Sequence, residues 1–284
     1  MMTIEPTRQQ RTQFQNLPHG QLALVNFLSI KDQSAYAHYI QASEREINTQ
    51  SGHRTHHVQV DQFLAGGEMP FQAIAVDRFP SRESALLAFE ATAVERQAAF
   101  SQIYCLAVRP ADRLPRVVKA LGFLSPVLGR ILGTNAEKEM PRFREIANPE
   151  TGPVPDTLEE LRKHDQSTPF YMMNLNKYYS KAQYASGEDV SGEAAYNRYG
   201  SRILPYLVSV GGYPDTIGPV AAVLVGDESN RLHDDWSDFA MVHYPSRRNF
   251  LLMMTNAPKD GAIHRDAGLQ RAVLMPSSIF PSGR

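Results

Sequence analysis

Cysteine is nearly absent: the 284 residues contain one, Cys105. A lone thiol closes no internal disulfide, which excludes a disulfide-stapled secreted scaffold and points to a reducing, cytoplasmic setting. No run approaches the ~20 apolar residues a spanning helix needs. The N-terminus carries no apolar stretch of signal-peptide type, so export is not expected. Neither charge sign is in excess: 29 basic and 30 acidic residues leave a formal −1, which excludes a whole-chain electrostatic grip on nucleic acid. Also missing are a Gly-rich phosphate loop, a Gly-x-Ser-x-Gly elbow and a Cys-x-x-Cys pair, so nucleotide enzymes and acyl hydrolases of those kinds are disfavoured. The densest imidazole cluster, His53-Arg54-Thr55-His56-His57, matches no metal-ligand spacing and has no acid or cysteine beside it. No metal and no cofactor are expected. Entering a strand, His53 and His57 would share a face and His56 would point away.

What is present is a repeat. Phe79-Pro80-Ser81-Arg82 with Leu86-Leu87 recurs as Tyr244-Pro245-Ser246-Arg247 with Leu251-Leu252, at an offset of 165. Ala35-Tyr36-x-x-Tyr39 recurs as Ala195-Tyr196-x-x-Tyr199 at 160, and Val25-Asn26-Phe27 as Met173-Asn174-Leu175 at 148. The matches keep their order, and insertions of 12 and 5 residues in the second copy account for the drift. Three ordered matches identify a tandem duplication.

Each copy reads strand, helix, strand, strand, helix, strand. In the second, strands are predicted over 170–177, 216–226, 237–244 and 268–275, with a polar loop, DESNRLHDDW, between the middle pair. A helix opens at Ser191 and runs to about Val210, where Pro205 predicts a kink or break. Ser246 is the predicted N-cap of the next helix. This order is the ferredoxin-like split βαβ pattern. One such unit covers its sheet with helices on a single face, and a second copy can cover the other. The predicted fold class is therefore α+β: tandem ferredoxin-like βαββαβ units forming an intramolecular dimeric α/β barrel. The predicted divisions are an N-terminal tail (1–20), a first repeat (21–110), an apolar-basic helical linker (111–168) and a second repeat (169–284).

The linker is what the repeat does not explain. Leu114 to Gly133 is apolar, with cations at Arg113, Arg116, Lys119 and Arg130 and no acid after Asp112. The simplest reading is two short helices packed on the barrel and broken at Pro126. A lid over a cavity, and then membrane contact through 113–133, are the alternatives. A Pro-rich connector and a short polar helix, NPETGPVPDTLEELRK, lead into the second copy.

The span from Asn148 to Pro276 resembles the DUF1330 family of dimeric α/β-barrel proteins. The resemblance rests on DTLEELRK leading into YMMNLNKY, then SGEAAYNRYG, the DDWSDFAMVHYPSRRNFLLMM run and HRDAGL. The first copy keeps the strand Asn, the Tyr pair and the FPSR turn, but has Ser29 where the second has Lys177. The resemblance implies a fold. Its wider superfamily includes cofactor-free monooxygenases, isomerases and haem-binding proteins, so a single reaction does not follow.

Candidate chemistry is drawn from polar residues on otherwise apolar elements. Asn174, with Asn26 as its counterpart, would donate to a carbonyl or enolate in the barrel, or else bond to neighbouring backbone. Tyr196 and Tyr199, mirrored by Tyr36 and Tyr39, would orient a substrate oxygen, or else pack with their hydroxyls at a rim. His243 is a candidate base, but it has opposite strand parity to Asp238 and so does not pair with it directly. Its counterpart at the 165 offset is Arg78, and this repeated polarity predicts a position facing a wet cavity or solvent. Trp236, Lys177 and Arg265 complete the set: His243, Tyr196 and Asn174 catalytic, and Trp236, Tyr199, Lys177, Asn26 and Arg265 substrate-binding.

The expected function is that of a cytoplasmic, monomeric or homodimeric protein binding a small hydrophobic carbonyl or aromatic compound, as a cofactor-independent monooxygenase or isomerase. The alternative is a non-catalytic ligand-binding or interaction module whose linker helix contacts a partner or membrane.

Overall fold

A computed structural model describes residues 4–67, 69–134, 150–226 and 236–280. The polar loop at 227–235 and the start of the Pro-rich connector lie outside the described residues. The first copy contributes β1 (Leu22–Ile30), α2 (Gln33–Thr49), β2 (His53–Val60), β3 (Ala73–Phe79), α3 (Arg82–Ala91), α4 (Ala93–Ala99) and β4 (Phe100–Val108). The second contributes β5 (Phe170–Tyr178), α8 (Gly192–Ser209), β6 (Tyr213–Val225), β7 (Asp238–Tyr244), α9 (Arg247–Asn256), α10 (Lys259–Gly268) and β8 (Leu269–Ile279). Before and between them lie α1 (Arg8–Gln15), α5 (Arg113–Ala120), α6 (Ser125–Leu132) and α7 (Pro155–Lys163). The helix α1, absent from the sequence reading, starts at a Thr7 capping box and buries Gln10 and Phe14.

The strands close into one antiparallel barrel in the order β1-β3-β2-β8-β5-β7-β6-β4. Each copy supplies four neighbours in the same internal order, and two seams join them. At one, Val58–Val60 pair with Ser277–Ile279; at the other, Cys105–Val108 pair with the end of β6. The duplication thus becomes an intramolecular α/β barrel, with no sheet edge left exposed between the copies.

Strand alternation sorts the side chains into three cores. Val25, Phe27, Ile74, Val76, Met173 and Leu175 point inward and fill the barrel together with Phe239, Met241 and Met275. Outward residues of the first copy, such as Leu24, Leu28 and Ala75, pack under Tyr36, Tyr39 and Phe89. Those of the second, such as Phe170 and Met172, pack under Leu207, Phe250 and Leu251. The repeated Pro-Ser-Arg turn is a repeated helix cap: Ser81 accepts from the Ser84 N–H at 3.1 Å, and Ser246 from that of Asn249 at 3.2 Å.

Three local readings change. The helix α8 continues through Pro205; Pro205 and Ser201 both lie on its exposed side, so the carbonyl that loses its donor there faces water. The linker breaks at a 3-10 turn, Leu121–Leu124, and Pro126 sits in the first turn of α6, where a missing N–H costs nothing. In β2 a bulge between Arg54 and His56 reverses the alternation. His53 (paired with Arg78) and His56 (paired with Val76) therefore face inward, and His57 faces the helices, because one extra residue flips everything beyond it.

Candidate functional site

The two copies treat the space between sheet and helix differently. In the first, the strand Asn, Asn26, lies 3% exposed and donates to Asp77 Oδ2 at 3.3 Å. Arg54 reaches the same carboxylate through Nε at 2.7 Å and Nη2 at 3.3 Å, and Nη2 also donates to Ser43. A guanidinium-carboxylate fork of this kind seals the gap and holds the second strand to the third. Tyr36 and Tyr39 close over it, both buried. This half is a finished core.

In the second copy the corresponding face is only half-covered: Asn174, Ala240 and Val242 on the strands, and Tyr196, Tyr199 and Ile203 on α8, are all half-buried. One end of this gap holds a polar cluster. Asn176 Nδ2 donates to Asp238 Oδ1 at 2.8 Å and to the Tyr196 hydroxyl at 3.3 Å. Tyr178 donates its hydroxyl to the other carboxylate oxygen of Asp238. The rings of Tyr178, Tyr196 and Tyr199 follow one another at 5.3 and 5.4 Å. Among the described residues no cation pairs with Asp238. Burial pushes its carboxyl up to about 6, against the opposing pull of the Tyr178 and Asn176 hydrogen bonds. Burial likewise raises the Tyr178 and Tyr196 phenols, so both stay protonated near neutrality.

This arrangement can move one proton. Asp238 is a carboxylate held by neutral donors and poised near the operating pH, which suits a general base. Tyr196 receives a hydrogen bond from Asn176, leaving its own proton to point at a bound oxygen.

The predicted site residues fall in different places. Tyr196 and Tyr199 share the gap with Asn174. Asn174, however, gives its amide hydrogens to Met172 O at 3.0 Å and Ala240 O at 3.2 Å, a backbone-bonding role rather than a ligand-facing one. It faces the helices rather than the barrel, as does Asn26, because both share the outward parity of their strands. His243 lies at the opposite end of β7 from Asp238, facing inward, stacked on Tyr213 with centroids 4.6 Å apart. Trp236 joins the barrel's interior core at its other end, under the Arg271 guanidinium. Lys177 pairs in register with that Arg271. Arg265 lies on α10 and binds the Thr151 carbonyl. Asp238, Asn176 and Tyr178 were missed as site residues, although Asn176 shares the predicted Asn174 face.

Strand order and duplication define the class: an α/β barrel of the dimeric kind, built within one chain. No family model matches the sequence, and no curated protein matches it. Among solved structures, a protein of unknown function from Rhodopseudomonas palustris is 23% identical over 48% of this chain and 98% of its own, with a TM-score of 0.41. A proposed monooxygenase from Lactobacillus acidophilus NCFM covers 91% of this chain and 93% of its own at 7% identity and a TM-score of 0.42. A mutant chlorite dismutase from Candidatus Nitrospira defluvii covers 92% of each chain at 8% identity and a TM-score of 0.44. At these scores the fold rests on the chain's own strand order. No helix among the described residues is long and apolar enough to cross a membrane.

Proposed function

We propose that the second half binds a small carbonyl or aromatic compound between its sheet and α8, and that Asp238 removes a proton from it. The observation that carries this reading is a half-buried carboxyl held by two neutral donors at the mouth of a half-covered gap; the first copy instead seals the same face of its sheet with an ion pair at the other end of the matching strand. In the reaction, a C–H proton next to the carbonyl passes to the Asp238 carboxylate. The electron pair moves into an enolate, whose oxygen receives the Tyr196 hydroxyl hydrogen bond. Return of the proton to another carbon completes an isomerisation. Attack of the carbanion on dioxygen begins a cofactor-independent oxygenation. Tyr199 and Ile203 supply the apolar wall. The resemblance to DUF1330-like proteins and the reducing setting suggested by the buried Cys105 fit a cytoplasmic protein of this kind.

Proton NMR in D2O tests the reading with a panel of cyclic diketones and phenols. Protein-dependent exchange of the acidic C–H that is abolished in Asp238→Asn and slowed in Tyr196→Phe supports it. Exchange that is absent, or equal in Asp238→Asn, refutes it.

A second reading, an interaction module working through the linker, is favoured by one observation. Leu114, Val117, Phe123, Val127 and Ile131 on α5 and α6 and in the turn between them are 48 to 75% exposed, beside Arg113, Arg116 and Arg130. Co-sedimentation with anionic vesicles, compared between the wild type and Phe123→Ser with Ile131→Ser, separates a membrane role from none.

A further inference from the structure

At the barrel end opposite Asp238, the inward-facing residues turn polar. Arg78 lies next to the end of β3, Thr216 near the start of β6 and His56 on β2, with α5 lining the opening. Between them is an open cavity of about 240 Å³, ample for water or a small solute. It is assembled from the first copy, the second copy and the linker together.

The charges are unequal in availability. Both acids at the cavity are already engaged. Asp112 binds Arg78 Nη1 at 2.5 Å and lies 3.8 Å from Arg116. Asp215 binds His56 Nε2 at 2.8 Å, and His56 Nδ1 meets Thr55 Oγ1 at 3.0 Å. The cations keep unused capacity. Lys119 forms no ion pair among the described residues and lies 4.8 Å above the Tyr213 ring. Arg78 holds Thr216 through Nη2 at 3.3 Å, but its buried Nε has no partner. A buried guanidinium N–H without an acceptor is costly unless something fills the role.

We propose that this barrel mouth is a binding site for a small oxyanion, a carboxylate or a phosphate. Arg78 would grip it from the floor, Lys119 from the α5 roof, and His53 on the rim would face its outer end. A planar guanidinium below and a flexible ammonium above form the usual division of labour around such groups. The site is separate from the Asp238 gap: the two lie at opposite ends of β7 and on opposite faces of the sheet. A bound anion would tie both copies and the linker to one ligand, so occupancy should also raise the melting temperature.

Isothermal titration with sodium phosphate and with sodium malonate, at ionic strength held constant with chloride, tests this on the full chain. Saturable binding of one or both is expected, and the stronger arm identifies phosphate or carboxylate as the ligand chemistry. Lys119→Met, a change at a solvent-accessible side chain that lines the cavity, should weaken it about 5-fold. Arg78→Met should abolish it, and if that variant does not fold, Lys119→Met decides alone. Asp238→Asn should bind as the wild type does, so loss of the gap reading leaves this one standing. No saturable binding by either anion, or unchanged affinity in folded Lys119→Met, overturns the proposal.

Discussion

Asp238 offers a direct thermodynamic test. Its carboxyl rises from the ordinary 3.8 to about 6 on folding. Between those values the native state holds a proton that the unfolded state has released. Stability from this group therefore falls as pH rises from about 4 to about 6 and is flat above. Two units correspond to about 3 kcal/mol as an upper figure. The whole-protein curve will not display it, because His57 works in the opposite direction. Burial, and then the nearby Arg54, hold its imidazole down to about 4, so the native state binds fewer protons between pH 4 and 6.5 and gains stability as pH rises. The two contributions overlap and largely cancel. Urea unfolding of the wild type and Asp238→Asn at half-unit steps from pH 4 to 8 isolates the first. The variant-minus-wild-type difference should climb by about 2–3 kcal/mol between pH 4 and 6 and then level off. A difference that stays constant within about 0.5 kcal/mol would show that Asp238 ionises normally and would remove it as a base.

Four further outcomes follow from the packing. Asp77→Ala should cost about 3–5 kcal/mol in urea unfolding, because it leaves the Arg54 guanidinium buried without its counter-charge. Ser81→Ala and Ser246→Ala should each cost about 1 kcal/mol and by similar amounts, since they remove the same N-cap bond from two copies. Phe239→Ala, fully buried in the barrel interior, should cost about 3–5 kcal/mol. Gly218→Ala should destabilise more than a surface change does, measured by thermal melting, because its Cβ would run into the Arg109 carbonyl where the chain after β4 crosses β6.

Much of the architecture was readable because repetition carries it. The Pro-Ser-Arg turns mark matching caps, and the drifting offset sorts the insertions, so the barrel follows from two ordinary ferredoxin-like orders. The shared polarity of Arg78 and His243 marks two inward-facing positions at one end of the barrel, but only Arg78 lines the cavity there; His243 is stacked on Tyr213, and burial holds its imidazole down. The candidate site was legible only in part. The two-residue alternation places Asn174 and Asn176 on one face, but it does not say which of them finds backbone and which finds Asp238. A bulge leaves no composition signal, so the expected sharing of one face by His53 and His57 gives way to a face shared by His53 and His56. The His56–Asp215 pair joins β2 to the bulged start of β6, strands that are not neighbours, and no local spacing reveals such a contact.

The unequal gaps have a further implication. In a homodimer one gene writes both halves, so a side chain that opens a pocket opens it twice, and the interior must absorb the lost packing twice. In the fused chain the two positions mutate independently. The Arg54–Asp77 fork can be kept as a rivet in one half while the other half carries an uncompensated acid. The sealed copy can thus offset the cost of the acid in the other, a freedom that symmetry denies to the unfused pair.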